Sequence, residues 1–348
     1  MRGLSSDTHI RLALALGAFA LACGLSFARI GHGAPDFYVF WTAAQHWQAP
    51  YDPAIIAKLE ASIHLGGVWP FAYPPTFLLA VWPFAQLPLT IAYPLWTGFG
   101  CGAFVYAASH LIRPAYATAL LAICPLIFEG AELGQTSLLV GAAMIGAWLL
   151  RDHRPIVAGV LLGIAACIKP QALVLAPIVF WGRWRMLSAM MLTGVALVAV
   201  SLVFGWQRWA EWPHALAAFH TLVPGTDRIN PSALIEAPWW AAAVGLLGLY
   251  VALTSRDLVG LVVGGLCLTP YAHGYDLAAL TPLALSWLIE RRTNGWGLAF
   301  CGGALLAGLV ATPAAALAFV VVLTLLKSRW RPFRHPALAA LSPAEPAT

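Results

Sequence analysis

The sequence predicts an all-α protein that is threaded through a membrane many times. Two observations carry this. Of its residues, 61% are hydrophobic and only 9% are charged, and apolar runs of spanning or near-spanning length recur along the chain. Soluble domains carry about 25% charged residues, and a helical span takes roughly 20 apolar residues. With a mean hydropathy of +0.79, residues 1–340 read as a single transmembrane domain, followed by a short cytoplasmic tail at 341–348.

The first apolar run, Leu12–Phe27, has the look of a signal peptide. No A-x-A-like cleavage site clearly follows it, however, and further apolar runs do, so the expectation is an uncleaved first span. A non-spanning loop over 29–72 comes next. Apolar segments then fall at 73–88, 90–112, 114–130, 135–150, 155–168, 170–182, 184–205, 239–254, 258–270, 275–290, 296–310 and 311–326, giving about 10–13 membrane segments in all. A second long loop covers 206–238. Segments of 13–16 residues are short for a full span. They are expected to be tilted, paired as half-helices, or buried among neighbours that line a cavity.

Lysine and arginine set the orientation. Arg2, Arg11, Arg151, Arg154, Arg183, Arg185, Arg256, Arg291, Arg292 and the basic tail from Lys327 alternate with connections poor in basic residues. Placing them in the cytoplasm puts 13 of the 19 basic residues there. Both long loops then face outward. In 73–130, three crossings would put Glu129–Gln135 inside, whereas the downstream alternation puts it outside. One segment there is expected not to cross, and Pro74, Pro75, Pro83, Pro88 and Pro94 favour a broken or re-entrant path.

The net charge of +5 does not indicate nucleic acid, because the basic residues sit in short connections between apolar runs. The six cysteines lie singly in apolar segments without C-x-x-C spacing, so neither a metal site nor a disulfide framework is expected.

Most carboxylates gather on the predicted outer side, together with Lys169, Arg208 and Arg228, which break the orientation rule. Asp36 stands out, in "APDFYVFWTAAQHW" (34–47), where the aromatic spacing suits an amphipathic helix at the interface. It serves as an N-cap or as a functional carboxylate, and one role does not exclude the other. Tyr73-Pro74-Pro75 forces an extended entry into a helix and brings Tyr73 near the surface. Gln135 follows Gly134 at the start of a segment, placed either to bond sugar hydroxyls or to cap and pack. Lys169, enclosed by apolar runs and followed by Pro170, either snorkels or offers a point charge to a phosphate. "LTPYAHGYDLAALTPL" (268–283) places Tyr271, His273, Tyr275 and Asp276 at the outer end of a segment. With no further ligands near in sequence, a hydrogen-bonding role toward phosphate or sugar fits that group better than a metal pair.

Taken in order, these motifs resemble glycosyltransferase family 87, the polyprenyl-phosphate-mannose-dependent transferases of the type C membrane fold. The match runs through Asp36, Tyr51-Asp52, Tyr73-Pro74-Pro75, Gly134-Gln135, Ala158-Gly159 with Lys169-Pro170, Arg183-Trp184-Arg185, and Thr269-Pro270-Tyr271 with Tyr275-Asp276. The resemblance implies an outward cavity in the cell membrane where a polyprenyl-phosphate-linked sugar meets a lipid or glycan acceptor, with no nucleotide sugar, metal or other cofactor. It implies that Asp36 is the general base and that His273 acts on the acid side or contacts phosphate. Lys169, Arg208 and Arg228 would meet the donor phosphate, and Tyr73, Gln135, Tyr271, Tyr275 and Asp276 the sugar or acceptor. Two other classes compete. A transporter or flippase predicts a polar route through the membrane, and a non-catalytic scaffold predicts no cavity.

Overall fold

The first apolar run folds as α1 (Ser6–Arg29), with Asp7 in its first turn and Arg29 in its last, each charge at the end the helix dipole favours. Its 24 residues extend about 36 Å at 1.5 Å per residue, enough for the ~30 Å hydrocarbon core. The computed structural model describes residues 6–30, 36–62, 69–222, 238–268 and 274–289, and no strand occurs among them.

The first loop holds α2 (Asp36–Gln45) and α3 (Pro53–Ser62). The α2 helix has no stripe left for lipid, because Phe37, Tyr38, Val39, Phe40, Thr42, Ala43 and Ala44 are all buried. Its aromatic residues pack inside the protein. Phe37 stacks on Tyr93 and Trp96 at 6.0 and 5.5 Å, and Phe40 meets Tyr73 and Phe77 edge-on at 4.8 and 5.0 Å. Such offset and edge-to-face pairs each contribute about 0.5–1.5 kcal/mol beyond area burial.

After extended Pro74, Pro75 opens α4 (Pro75–Ala85) at the first helical position, where its missing N–H costs nothing. The α5 helix (Leu89–Ala108) then runs antiparallel to α1. The Arg11 side chain donates to the Ser109 carbonyl near one end of the pair, and Cys23 Sγ to the Pro94 carbonyl, 3.2 Å away, near the other. The chain returns through a 3-10 helix (Ala115–Ile123) and α6 (Pro125–Glu132), bent by 70° where Pro125 follows Cys124. Glu132 there pairs with Arg29, so α6 finishes where α1 finishes.

The α4 helix starts and finishes at the same end of the bundle. Tyr73, just before it, bonds Gln135 at this same end. At its far end Trp41 Nε1 donates to the Leu87 carbonyl (3.1 Å), and α5 begins there too.

Alternating passes follow: α7 (Ser137–Leu150), α8 (Pro155–Ile168), a broken pass made of Pro170–Leu173 and α9 (Ala176–Val179), and α10 (Trp184–Ser201). A Cβ on Gly159 would lie 2.2 Å from the Met186 carbonyl oxygen. The four-residue spacing of Gly159 and Gly163 therefore serves the close crossing of α8 and α10. Then come α11 (Gln207–Leu222), α12 (Pro238–Ser255), α13 (Leu258–Leu268), a 3-10 turn (Gly274–Leu280) and α14 (Thr281–Ile289).

By length and composition, α1 and Trp184–Phe204 suffice to cross a membrane alone, and the bent pair at 115–132 makes a third if it acts as one span. Shorter apolar helices of 10–17 residues accompany them. The apolar segments expected at 296–310 and 311–326, and the tail at 341–348, lie outside the described residues. Two ends emerge from this arrangement. One gathers the basic connections, where Arg183 Nε and Nη2 bond Asp152 Oδ1 at 3.1 and 2.9 Å. The other gathers Asp36, Tyr73, Gln135, Lys169, Tyr275 and Asp276.

Candidate active site

Asp36 opens α2, and a single turn fixes that helix end. Gly134 has φ +63°, and a Cβ there would come within 2.7 Å of the Phe37 Cβ, so only glycine lets the turn after α6 close on α2. The Phe37 N–H donates to the Leu133 carbonyl (3.1 Å), Trp96 Nε1 to the Gly134 carbonyl (2.7 Å), and the Tyr93 hydroxyl to the Glu132 carbonyl. With 132–134 clamped in this way, Gln135 comes to lie against Asp36.

The Gln135 amide is fully used. Its Nε2 donates to Asp36 Oδ2 and to the Tyr275 hydroxyl (3.0 Å). Its Oε1 accepts from the Tyr73 hydroxyl and from the Thr136 N–H, each at 3.2 Å. Two donors and two acceptor positions exhaust what a carboxamide offers. The orientation is also determined, since the Thr136 N–H can only donate and an ionised Asp36 can only accept. Asp36 Oδ1 has no hydrogen bond among the described residues. Burial pushes the Asp36 carboxyl up to about 6, while the Gln135 hydrogen bond and the Lys169 charge pull the other way.

Lys169 caps the C-terminus of α8, and Pro170 ends the helix. Its ammonium does not snorkel outward. Lys169 is 8% exposed, and its ammonium reaches Asp276 Oδ1 at 2.5 Å and sits 5.4 Å from the centre of the Tyr275 ring.

Tyr73 is held from behind. The Tyr51 hydroxyl donates to the Tyr73 carbonyl (2.8 Å), and Trp212 Nε1 donates to the Ala72 carbonyl (3.1 Å). Asp52 beside Tyr51 caps α3, accepting from the Ala54 N–H at 2.9 Å. The Tyr51-Asp52 motif therefore supports the site without entering it.

Six of the ten residues singled out in sequence thus converge from positions 36 to 276. Arg208 is not among them: it pairs with Glu211 at 2.8 Å and lines a separate cleft. His273, Tyr271 and Arg228 lie outside the described residues. Sequence reasoning passed over Thr136, whose hydroxyl is 3.3 Å from that of Tyr73, and the clamps Tyr93 and Trp96. Those two sit three apart on one helix, a spacing that places polar-tipped aromatics on a common face.

The model of glycosyltransferase family 87 matches residues 71–289, more than half of the chain. The chain belongs to glycosyltransferase family 87. No curated protein and no solved structure matches it. It is therefore a membrane glycosyltransferase, working on a sugar donor and an acceptor. The matched span contains Tyr73, Gln135, Lys169, Tyr275 and Asp276, but it begins after Asp36. A hydrogen bond from Gln135 ties Asp36 to the matched span. The cluster offers a carboxylate poised near neutral pH, an enclosed ammonium and two phenols, a set suited to moving a proton beside a developing negative charge.

Proposed function

We propose that this transferase moves a sugar, mannose, from polyprenyl phosphate to a hydroxyl of a lipid or glycan acceptor at the outer face of the cell membrane. One observation carries the reading: Asp36 and the Lys169–Asp276 pair, brought from three distant segments, share one enclosed cluster through Gln135 and Tyr275. The ordered motifs supply the donor class, and the basic connections at the opposite end supply the orientation.

The acceptor hydroxyl gives its proton to Asp36 Oδ1 as its oxygen bonds the anomeric carbon. The bond from that carbon to the phosphate oxygen breaks, and polyprenyl phosphate leaves with the electron pair. Lys169 meets the charge that builds on the departing phosphate, in competition with Asp276, which holds the ammonium when no donor is bound. In-line attack on a β-linked donor gives an α-linked product with inversion. Gln135 keeps Oδ2 occupied, so that Oδ1 alone faces the acceptor. His273, three residues before Asp276, is the proposed second participant on the phosphate side.

The test is to incubate the purified protein in lipid with a panel of polyprenyl-phosphate sugars and nucleotide sugars and to measure release of polyprenyl phosphate. Turnover of polyprenyl-phosphate mannose in the presence of acceptor is expected. Turnover of nucleotide sugars alone would refute the donor class, and preference for another polyprenyl-linked sugar would refute mannose.

A further inference from the structure

A cleft of about 540 Å³ opens beside α3 and α11, apart from the Asp36 cluster. Its volume lies within the ~300–1,000 Å³ typical of ligand sites, and none of the chemistry assigned to Asp36 uses it. Gln48, Asp52, Arg208, Glu211 and His214 line it, along with the ring of Tyr51. The Arg208 side chain is only 15% exposed. One of its nitrogens bonds Glu211, but its Nε is buried and finds no acceptor among the described residues.

The charge balance decides what the cleft suits. Two carboxylates and one guanidinium line the cleft, so the lining carries no surplus positive charge to attract a phosphate. Donors and acceptors line it together with Tyr51, Phe71 and the prolines Pro50, Pro53 and Pro70. Hydroxyls both donate and accept, and the C–H face of a sugar packs on an aromatic ring, so this lining matches a neutral polyhydroxylated ring.

The cleft also adjoins the reacting centre. The Tyr51 hydroxyl bonds the Tyr73 carbonyl, and the Tyr73 hydroxyl bonds the glutamine that holds Asp36. Between them Phe71 contacts both rings, at 5.6 Å from Tyr51 and 5.9 Å from Tyr73. One aromatic wall thus separates the cleft from the Asp36 cluster.

We propose that this cleft is a subsite for a neutral sugar unit of a glycan acceptor, held away from the hydroxyl that reacts. That the bound glycan is the acceptor rests on the proposed reaction; that the cleft binds sugar does not.

The experiment titrates mannotriose and cellotriose into the full-length protein in lipid nanodiscs and reads binding by saturation-transfer NMR, with melting temperatures as the folding control. Saturable binding of at least one trisaccharide is expected. Arg208→Gln and Glu211→Gln should each weaken it about tenfold or more, the loss that goes with a hydrogen bond to a charged group. His214→Ala, at an exposed position, should weaken it without threatening the fold. Asp36→Asn should bind as wild type does. If neither trisaccharide binds, or if all three cleft variants bind as tightly as wild type, the proposal is wrong. It is equally wrong if inorganic phosphate displaces the sugar and Arg208→Gln abolishes phosphate binding. Failure of the transfer reading looks different: Asp36→Asn would stay active while the cleft variants still lose sugar.

Discussion

Lys169–Asp276 and Arg183–Asp152 are both ion pairs between remote segments, yet they sit at opposite ends of the molecule in opposite surroundings. The first pair has side chains 10% and 14% exposed, the second 36% and 46%. Water already solvates the exposed pair, so its contribution is about 0–1 kcal/mol. The enclosed pair carries a desolvation cost of several kcal/mol per ion, and an apolar replacement of similar shape is often as stable or more so. In a chain with 9% charged residues, an ion pair placed where it costs most, and beside Asp36, is better explained by chemistry than by stability. The pair at the other end ties two connections together.

The largest effect expected from this contrast follows the removal of one partner. Asp276→Asn leaves an ammonium enclosed without its counter-ion and should cost about 3–5 kcal/mol, read as a marked fall in melting temperature in detergent. Joining Lys169→Met to Asp276→Leu should restore most of that stability while leaving transfer abolished. Recovery of transfer in the double variant would show the pair to be only structural.

A smaller effect tests how Asp36 is tuned. Its carboxyl lies near 6, and a base works when deprotonated, so activity should fall as pH drops through about 6 and level off above it. Gln135→Glu puts a like charge against Asp36 and should move the half-maximal pH upward. An unmoved profile would detach Gln135 from the base.

The smallest effect belongs to the exposed pair. Asp152→Asn should change stability by no more than about 1 kcal/mol, and added salt should shrink even that. A loss equal to that of Asp276→Asn would erase the contrast.

Much of this was legible in the chain. Each apolar segment expected between 73 and 290 coincides with a helix or a broken helix pair, because hydropathy and proline placement act locally. The topological conflict in 73–130 pointed to a broken path there, and the structure bends that region by 70° between Ala115–Ile123 and Pro125–Glu132. Six residues of the Asp36 cluster were legible as polar exceptions in an apolar chain. What was not legible is pairing. Lys169 and Asp276 lie 107 residues apart, and nothing in either neighbourhood says that the two meet. Arg208 was grouped with Lys169 because both break the orientation rule. That rule reports a side of the membrane and not a cavity, and the structure places Arg208 in a different cleft. The aromatic run of α2 suited an interface by its spacing, but spacing alone does not distinguish lipid from the rings of α4 and α5.

The central claim is that Asp36, at the end of an otherwise buried helix, takes the proton from the acceptor. It is tested most directly by measuring polyprenyl phosphate released by Asp36→Asn and by wild type, with the same donor and acceptor and well above pH 6. Asparagine keeps the shape and can still bond Gln135 but cannot accept the proton, so donor binding should persist while turnover falls by about 10² or more. Turnover of the asparagine variant within a few-fold of wild type would contradict the account.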